Sequence, residues 1–500
     1  MGVRTASLLV YLSCLFLGVR NQPPSSLCSR CNCSNINATF LEVLCLSDIK
    51  EIADVIFANG TQGDLLSVSD LTIRYNELNT LADGFATENV VRLDLSFNKI
   101  SHVKNNVFSR LQKLETLVLS HNNVENLHPN AFQGLYMAGD FYPLRSLRTL
   151  MLDHNSIHTL NADLFEHTES VETLSLAYNP LEVIDTHTAI AITNLANLKF
   201  LDLSYTQLSA LPKYFLHTPK YIEVLNLSGN SFTGVPRELE EAHSLRKFVF
   251  NDNAVVELTR QNGFPRIPTL RVLHLCQMSD LVALDAGSLA NLTDLQELYV
   301  AGNPRLSRID DATLSTADAT GTMDSWPDIK KLYLNDNQIS YINKSLLAHW
   351  STLAELDLSN NPWTCECENQ WMVETLMPVY LKIDEDKAKA MKCAAPVEMT
   401  SYTFEELHKR NYNMRCLDLY GAQPERDAAM LVGTLAGMIL PKYSLHSVLL
   451  SIPFTGLLLG IPLVLFCIYS YRRHWFGYFD DSAASFSRQF YRRTNDVYEY

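Results

Sequence analysis

The fold is decided by Val90-Val-Arg-Leu-Asp-Leu-Ser-Phe-Asn98, which returns as Leu114-Glu-Thr-Leu-Val-Leu-Ser-His-Asn122 and as Leu147-Arg-Thr-Leu-Met-Leu-Asp-His-Asn155. Each copy has apolar residues at its first, fourth and sixth places and asparagine at its ninth. Moving outward, an earlier copy ends at Asn76 and later ones end at Asn179, Asn230, Asn253, Asn303, Asn337 and Asn361. Two copies depart at the last place, where Thr206 and Met278 stand. The 12 copies lie mostly 22–27 residues apart, with gaps of 33 before Asn155 and 34 before Asn337. Leu-x-Leu has period two, so alternate side chains point to one side and the intervening ones to the other. One short strand cannot bury its leucines alone. Stacked copies can, in a parallel sheet where each repeat touches only its neighbours. The asparagine is expected to turn inward and satisfy backbone groups of the loop that follows. Bulkier segments, Asn106–Phe108 and Ala131-Phe132, predict a convex back. The expected fold is therefore α/β: a curved solenoid of about 12 repeats with a parallel sheet on its concave face. No heptad persists, which excludes a coiled coil.

Around that middle, the 500 residues carry Lys+Arg 40 against Asp+Glu 55, a net charge of −15. An acidic balance argues against a nucleic-acid partner. Gly 19 and Pro 19, with 47% apolar residues, exclude collagen and wholesale disorder. Residues 1–21 read as a signal peptide, with Arg4 before the apolar stretch Leu8–Val19. Residues 445–470 hold no Asp, Glu, Lys or Arg, long enough to cross a bilayer as one helix despite Pro453 and Pro462. Arg472 and Arg473 follow, placing a short tail, 471–500, in the cytoplasm and the long N-terminal part outside. A shorter apolar run, Ala428–Leu440, lies in a juxtamembrane segment, 417–444, and is too short to span.

The cysteines cluster at the two ends of the repeats: Cys28, Cys31, Cys33 and Cys45 before them, and Cys365, Cys367, Cys393 and Cys416 after them. In a secreted chain these read as disulfides rather than zinc ligands, and four cysteines allow three pairings. Together with the repeats, Cys28-x2-Cys31-x-Cys33-x11-Cys45 and Asn361-Pro362-Trp363-x-Cys365-x-Cys367 resemble the extracellular leucine-rich repeat family of animals. That resemblance implies a cysteine-rich N-terminal cap at 22–60, repeats at 61–361 and a C-terminal cap at 362–416. It also implies the pairs Cys28–Cys33, Cys31–Cys45, Cys365–Cys393 and Cys367–Cys416. The tail's Tyr471-Arg-Arg-His-Trp-Phe-Gly-Tyr478 resembles the juxtamembrane start of Toll-type receptors, without their signalling domain.

No GxSxG, HExxH, P-loop or GxGxxG pattern is present, so no catalytic residue, cofactor or metal site is expected. Ser120-His121 and Asp153-His154 read as variable positions beside the ladder asparagines. The working surface is expected on the concave face. The residue before each asparagine slot forms a column whose first six members are Tyr75, Phe97, His121, His154, Tyr178 and Tyr205. Such rings give much contact area at low entropy cost. Tyr299 and Tyr333, on successive strands, form a second patch. The sequons Asn37, Asn59, Asn226, Asn291 and Asn343 mark glycosylation sites. The insertion Gln133–Arg145 carries Tyr136, Met137, Phe141, Tyr142 and Pro143, apolar residues that either pack locally or meet a partner. Cys276 is left over as a free thiol or a link between two copies. The expected function is non-covalent recognition of an extracellular protein or cell-surface partner, in adhesion or as a co-receptor, by a membrane-anchored chain able to pair as a dimer. The alternatives are an innate-immune or ligand-sensing receptor that signals through an associated chain, and, from another class, a hydrolase, for which the concave face offers only the isolated Asp94, Asp202 and Asp357.

Overall fold

The structure, a computed structural model, describes residues 31–35, 41–46, 49–50, 68–82, 84–85, 88–317 and 324–414. They belong to the first of two units, Met1–Cys416 and Leu417–Tyr500. The expected signal peptide, juxtamembrane segment, membrane span and tail lie outside the described residues, as do Cys28, Cys416, Asn37 and Asn59. Among the described residues no helix is long and apolar enough to cross a membrane.

One 14-stranded sheet organises the unit. It begins with an antiparallel pair, Asn32–Asn35 and Leu41–Cys45, and continues in parallel through twelve repeat strands from Val68–Ile73 to Glu355–Asp357. Every copy of the sequence pattern supplies one strand. Register follows from the leucines: Leu93 pairs with Leu117, Leu117 with Leu150, and Leu150 with Leu174, all fully buried. A slip of one residue would turn those leucines to solvent, so burial holds the register.

The asparagines form a second ladder beneath the strands. Asn122 Nδ2 donates to Leu119 O at 3.0 Å in its own turn and to Leu95 O at 3.0 Å in the turn before. Its Oδ1 accepts the Ile100 N–H at 3.0 Å. Asn155 and Asn179 repeat the arrangement. Thr206 is too short for the full set; its hydroxyl donates to Leu203 O, and Asn230 of the next turn receives the Thr206 and Leu208 N–H groups.

Ring spacing shows which way the stack bends. On the back, Phe85, Phe108, Phe132 and Phe165 stack at 6.0, 5.8 and 6.1 Å. At the strand side, successive rings from Tyr75 to Tyr205 are 3.9–4.7 Å apart. Repeats are thus wider apart at the back, and the strand face is concave. The back departs from the expected α/β class. It consists of turns, short 3₁₀ turns and two three-stranded ribbons of two-residue strands, with one α-helix, Thr186–Thr193, among the described repeats. Helices about 10 Å across cannot stack side by side at a spacing near 6 Å. The unit is therefore a parallel β-solenoid.

Each end is covered. Cys31–Cys45 joins the two arms of the first hairpin, and Cys365–Cys393 closes a loop within the far lid. Cys367 is also disulfide-bonded. In the far lid Trp363 and Tyr380 are buried, the Trp363 indole donates to Leu358 O at 2.9 Å, and the Leu358 N–H donates to the Tyr380 hydroxyl at 3.2 Å. These contacts seat three short helices, Met377–Ile383, Glu385–Ala390 and Phe404–Lys409, on the last repeat. The insertion after Gln133 forms a hairpin, Leu135–Met137 with Asp140–Tyr142, that exposes Tyr136, Met137, Phe141 and Tyr142.

Candidate functional site

The column before the asparagine slots has one backbone conformation. Tyr75, Phe97, His121, His154, Tyr178 and Tyr205 have φ between 52° and 57°, and Gly229, Asp252, Gln277, Gly302, Asp336 and Asn360 continue the series at positive φ. The chain turns there from strand to asparagine loop, and the left-handed region makes that turn tight. Glycine, asparagine and aspartate enter this region readily, whereas a ring-bearing residue is disfavoured by roughly 1–2 kcal/mol.

Six such residues in a row are offset by what they gain. Parallel register places slot over slot, so the rings stack face to face: 4.7 Å for Tyr75–Phe97, 4.2 Å for Phe97–His121, 3.9 Å for His121–His154, 4.2 Å for His154–Tyr178 and 4.4 Å for Tyr178–Tyr205. Each contact contributes about 0.5–1.5 kcal/mol. At one end the Arg74 guanidinium sits 5.3 Å from the Tyr75 ring centre and 5.2 Å from that of Phe97, with Asp94 3.8 Å from its Nε. At the other end Tyr205 leans over Gly229, where an added Cβ would lie 2.2 Å from its Cδ1. Burial and the nearby Asp252 raise the Tyr205 hydroxyl above the ordinary tyrosine range.

Stacking uses up the ring faces and leaves the edges for solvent. Tyr75, Tyr178 and Tyr205 are 57%, 45% and 37% exposed. An edge offers ring hydrogens, imidazole nitrogens and phenol hydroxyls, which suit carbonyl and carboxylate oxygens better than sugar rings or cations seeking a face. Beside the column, between Asp94 and Asp202, the strand centres are the uncharged Val118, Met151 and Ser175.

The second patch is differently made. Tyr299 and Tyr333 stack at 4.7 Å, and His274, missed as a partner from sequence, extends them at 4.2 Å. Their hydroxyls donate to Glu297 and Glu355, while Lys331 bridges those carboxylates at 3.6 and 3.0 Å. Burial with Glu297 pushes Tyr299 up to about 12, and the bond to Glu355 with burial does the same to Tyr333. Burial, with Lys247, pushes His274 down to about 4. Lys387 of the far lid pairs with Asp357 at 2.8 Å and lies 5.8 Å from the Tyr333 ring centre. The tyrosine hydroxyls and charged groups of this patch are paired with one another.

Ser120, His121, Asp153 and His154, separate in sequence, meet on neighbouring turns. The Ser120 hydroxyl donates to Asp153 Oδ1 at 2.6 Å, and Asp153 Oδ2 lies 3.1 Å from His154 Nδ1. The serine faces a carboxylate rather than an imidazole, so the nucleophile–imidazole pairing of a hydrolase is not made. Ligating atoms of His121, Asp153 and His154 do come within 4.8 Å of one another. Of the sequons, Asn226 is half-buried on the strand face, donating to Asp202 and accepting from Ser228. Asn291 is exposed and donates to Phe264 O, and Asn343 caps the turn Lys344–Leu346. Cys276 is half-buried and makes no disulfide among the described residues.

Comparison with known proteins agrees with this architecture. The family described as leucine rich repeat matches residues 88–137 and 145–208. Tsukushi of Gallus gallus is 26% identical over 300 residues, covering 59% of this chain and 69% of that protein. Podocan of Mus musculus is 27% identical over 300 residues, covering 57% and 42%. Toll-like receptor 3 of Homo sapiens is 25% identical over 245 residues, covering 42% and 26%. The chain thus spans less than half the length of the last two. Among solved structures, the Toll–Spatzle complex of Drosophila matches at 16% identity and TM-score 0.42, covering 68% of this chain and 51% of that one. The chain carries leucine-rich repeats and is similar to extracellular leucine-rich repeat proteins of animals.

Proposed function

We propose that this chain is a single-pass cell-surface protein whose repeats bind a protein partner non-covalently, as an adhesion molecule or co-receptor. The observation that carries the reading is the unbroken six-ring column, whose edges face solvent beside an uncharged stretch of strand. Strained rings stacked in line give a rigid surface that loses little entropy when a partner docks. The disulfides at both ends fit an oxidising exterior, and residues 445–470 are the proposed anchor. A glycan on Asn226, one strand beyond Tyr205, would bound the site on that side. Toll-like receptor 3 among the relatives favours a second reading, ligand sensing with signalling through an associated chain.

The test is a screen of the full chain, displayed on cells, against a library of secreted and surface proteins. Tyr178→Ala with Tyr205→Ala should weaken the captured partner at least about tenfold, as for aromatic anchors elsewhere. Unchanged affinity in a folded double variant would remove the column from the site. Ligand-triggered tyrosine phosphorylation, rather than cell aggregation on expression, would select the second reading.

A further inference from the structure

We propose that His121, His154 and Asp153 form a binding site for a divalent transition-metal ion of the zinc, copper or nickel class. The strands Thr116–Val118 and Thr149–Met151 pair in register, Leu117 opposite Leu150. His121 and His154, each four residues beyond those leucines, therefore sit one turn apart in the same left-handed conformation, at φ 54° and 52°. Their ring centres are 3.9 Å apart, the shortest spacing in the column. Asp153 Oδ2 approaches His154 Nδ1 at 3.1 Å, and its other oxygen accepts the Ser120 hydroxyl at 2.6 Å. One nitrogen from each imidazole and one carboxylate oxygen lie within 4.8 Å of one another. All three residues are partly exposed, so an ion can enter from solvent.

The donor set selects the metal. Two imidazoles and one carboxylate suit zinc, copper and nickel, whereas calcium and magnesium want oxygen donors throughout. Three protein ligands leave a fourth position for water or for an acceptor on a partner. The Ser120 hydroxyl orients the carboxylate, as supporting groups around metal ligands do. Donors about 2.0–2.1 Å from a tetrahedral ion are roughly 3.4 Å apart, so the gap to close is at most about 1.4 Å. Stacked rings cannot both aim at one ion, and each must turn about its Cβ–Cγ bond, giving up contact with its neighbour. Losing those contacts costs far less than two metal–nitrogen bonds return. Sequence spacing hides the site because its ligands come from turns separated by the longer of the early gaps.

The experiment titrates the full chain, free of any partner, with zinc chloride by calorimetry and with cobalt(II) by visible absorption. One equivalent should bind, with the absorption of a four-coordinate cobalt ion. His121→Asn and Asp153→Asn should each weaken binding at least about tenfold, the loss typical even of a supporting group. Asn is chosen for position 121 because it accepts the left-handed backbone, as Asn360 does in the same slot, so the variant keeps its fold. Zinc should also move the ring resonances of His121 and His154 together as the stack opens. No stoichiometric binding, or binding that both variants retain, overturns the site. Because no partner is present, this outcome is independent of the docking function proposed above.

Discussion

Gln277 and Tyr178 share one backbone slot, at φ 58° and 53°, with opposite consequences. Gln277 is exposed and makes no ring contact, so its left-handed backbone is strain with little return. Gln277→Gly should stabilise the unit by about 0.5 kcal/mol, the relief of roughly 1–2 kcal/mol being partly offset by the flexibility of glycine when unfolded. Tyr178 stacks on His154 and Tyr205 at 4.2 and 4.4 Å. Tyr178→Gly gains the same relief but loses two stacking contacts and buried ring area, for a net loss of about 1–2 kcal/mol. Urea midpoints of the two variants should therefore move in opposite directions; a shared direction would show that stacking does not offset the strain. His274 gives a pH counterpart. Its folded value near 4 lies below the ordinary 6.5, so the folded state holds the neutral ring and the unfolded state takes up the proton first. That stability is complete above about pH 6.5 and is lost as pH falls towards 4. Discounted for its partial exposure, the loss is on the order of 1 kcal/mol. His274→Phe should flatten the stability curve across that window, and an unchanged slope would assign it to other groups.

Single strands of three residues have little stability of their own, and the asparagine ladder adds to the backbone bonds that join each to the next turn. Asn122→Ala would leave the Ile100 N–H without its acceptor in the interior and take one of two asparagine donors from each of Leu95 O and Leu119 O. A loss of about 2–4 kcal/mol is expected. Thr206→Ala removes a hydroxyl bonded to Leu203 O at 2.7 Å, and should lose only about 1 kcal/mol. Chemical denaturation of both variants checks the ratio, and equal losses would argue that Asn122 acts by packing alone. The elements that sequence made legible are those whose cause is local. Leu-x-Leu at Leu93, Leu117 and Leu150 dictates strand, face and register at once. The back of each turn has no such local code: Phe108 and Phe132 are apolar enough for a helix, and only their spacing near 6 Å excludes one. The column of rings was readable as a row of residue types. Its stacking and its left-handed backbone were not, because both arise only when one turn lies upon another. For the same reason Ser120 and Asp153, partners at 2.6 Å, gave no signal across the gap between them.

A solenoid holds itself together by contacts between neighbouring turns, so its stability is close to a sum along one dimension, and its ends are its weak points. The last repeat, Glu355–Asp357, would expose Leu356 and Leu358 without the lid above it. Trp363 is the keystone of that lid: it is buried, and its indole nitrogen donates to Leu358 O at 2.9 Å. Trp363→Ala leaves a large cavity and takes the nearer of two donors from the Leu358 carbonyl, an expected loss of about 3–5 kcal/mol. In a globule such damage would weaken every part alike. Here it should spread from one end. Hydrogen exchange should accelerate first in Glu355–Asp357, then in Lys331–Tyr333, and leave Arg92–Asp94 near its original protection, because ten repeats stand between the lid and that strand. The disulfide Cys365–Cys393 limits how far the lid itself can unravel, so the effect should be a graded fraying rather than loss of the fold. Exchange that rises equally in Arg92–Asp94 and Glu355–Asp357 would mean that the stack opens as a single unit, and that the aromatic column near its beginning depends on a lid at the opposite end.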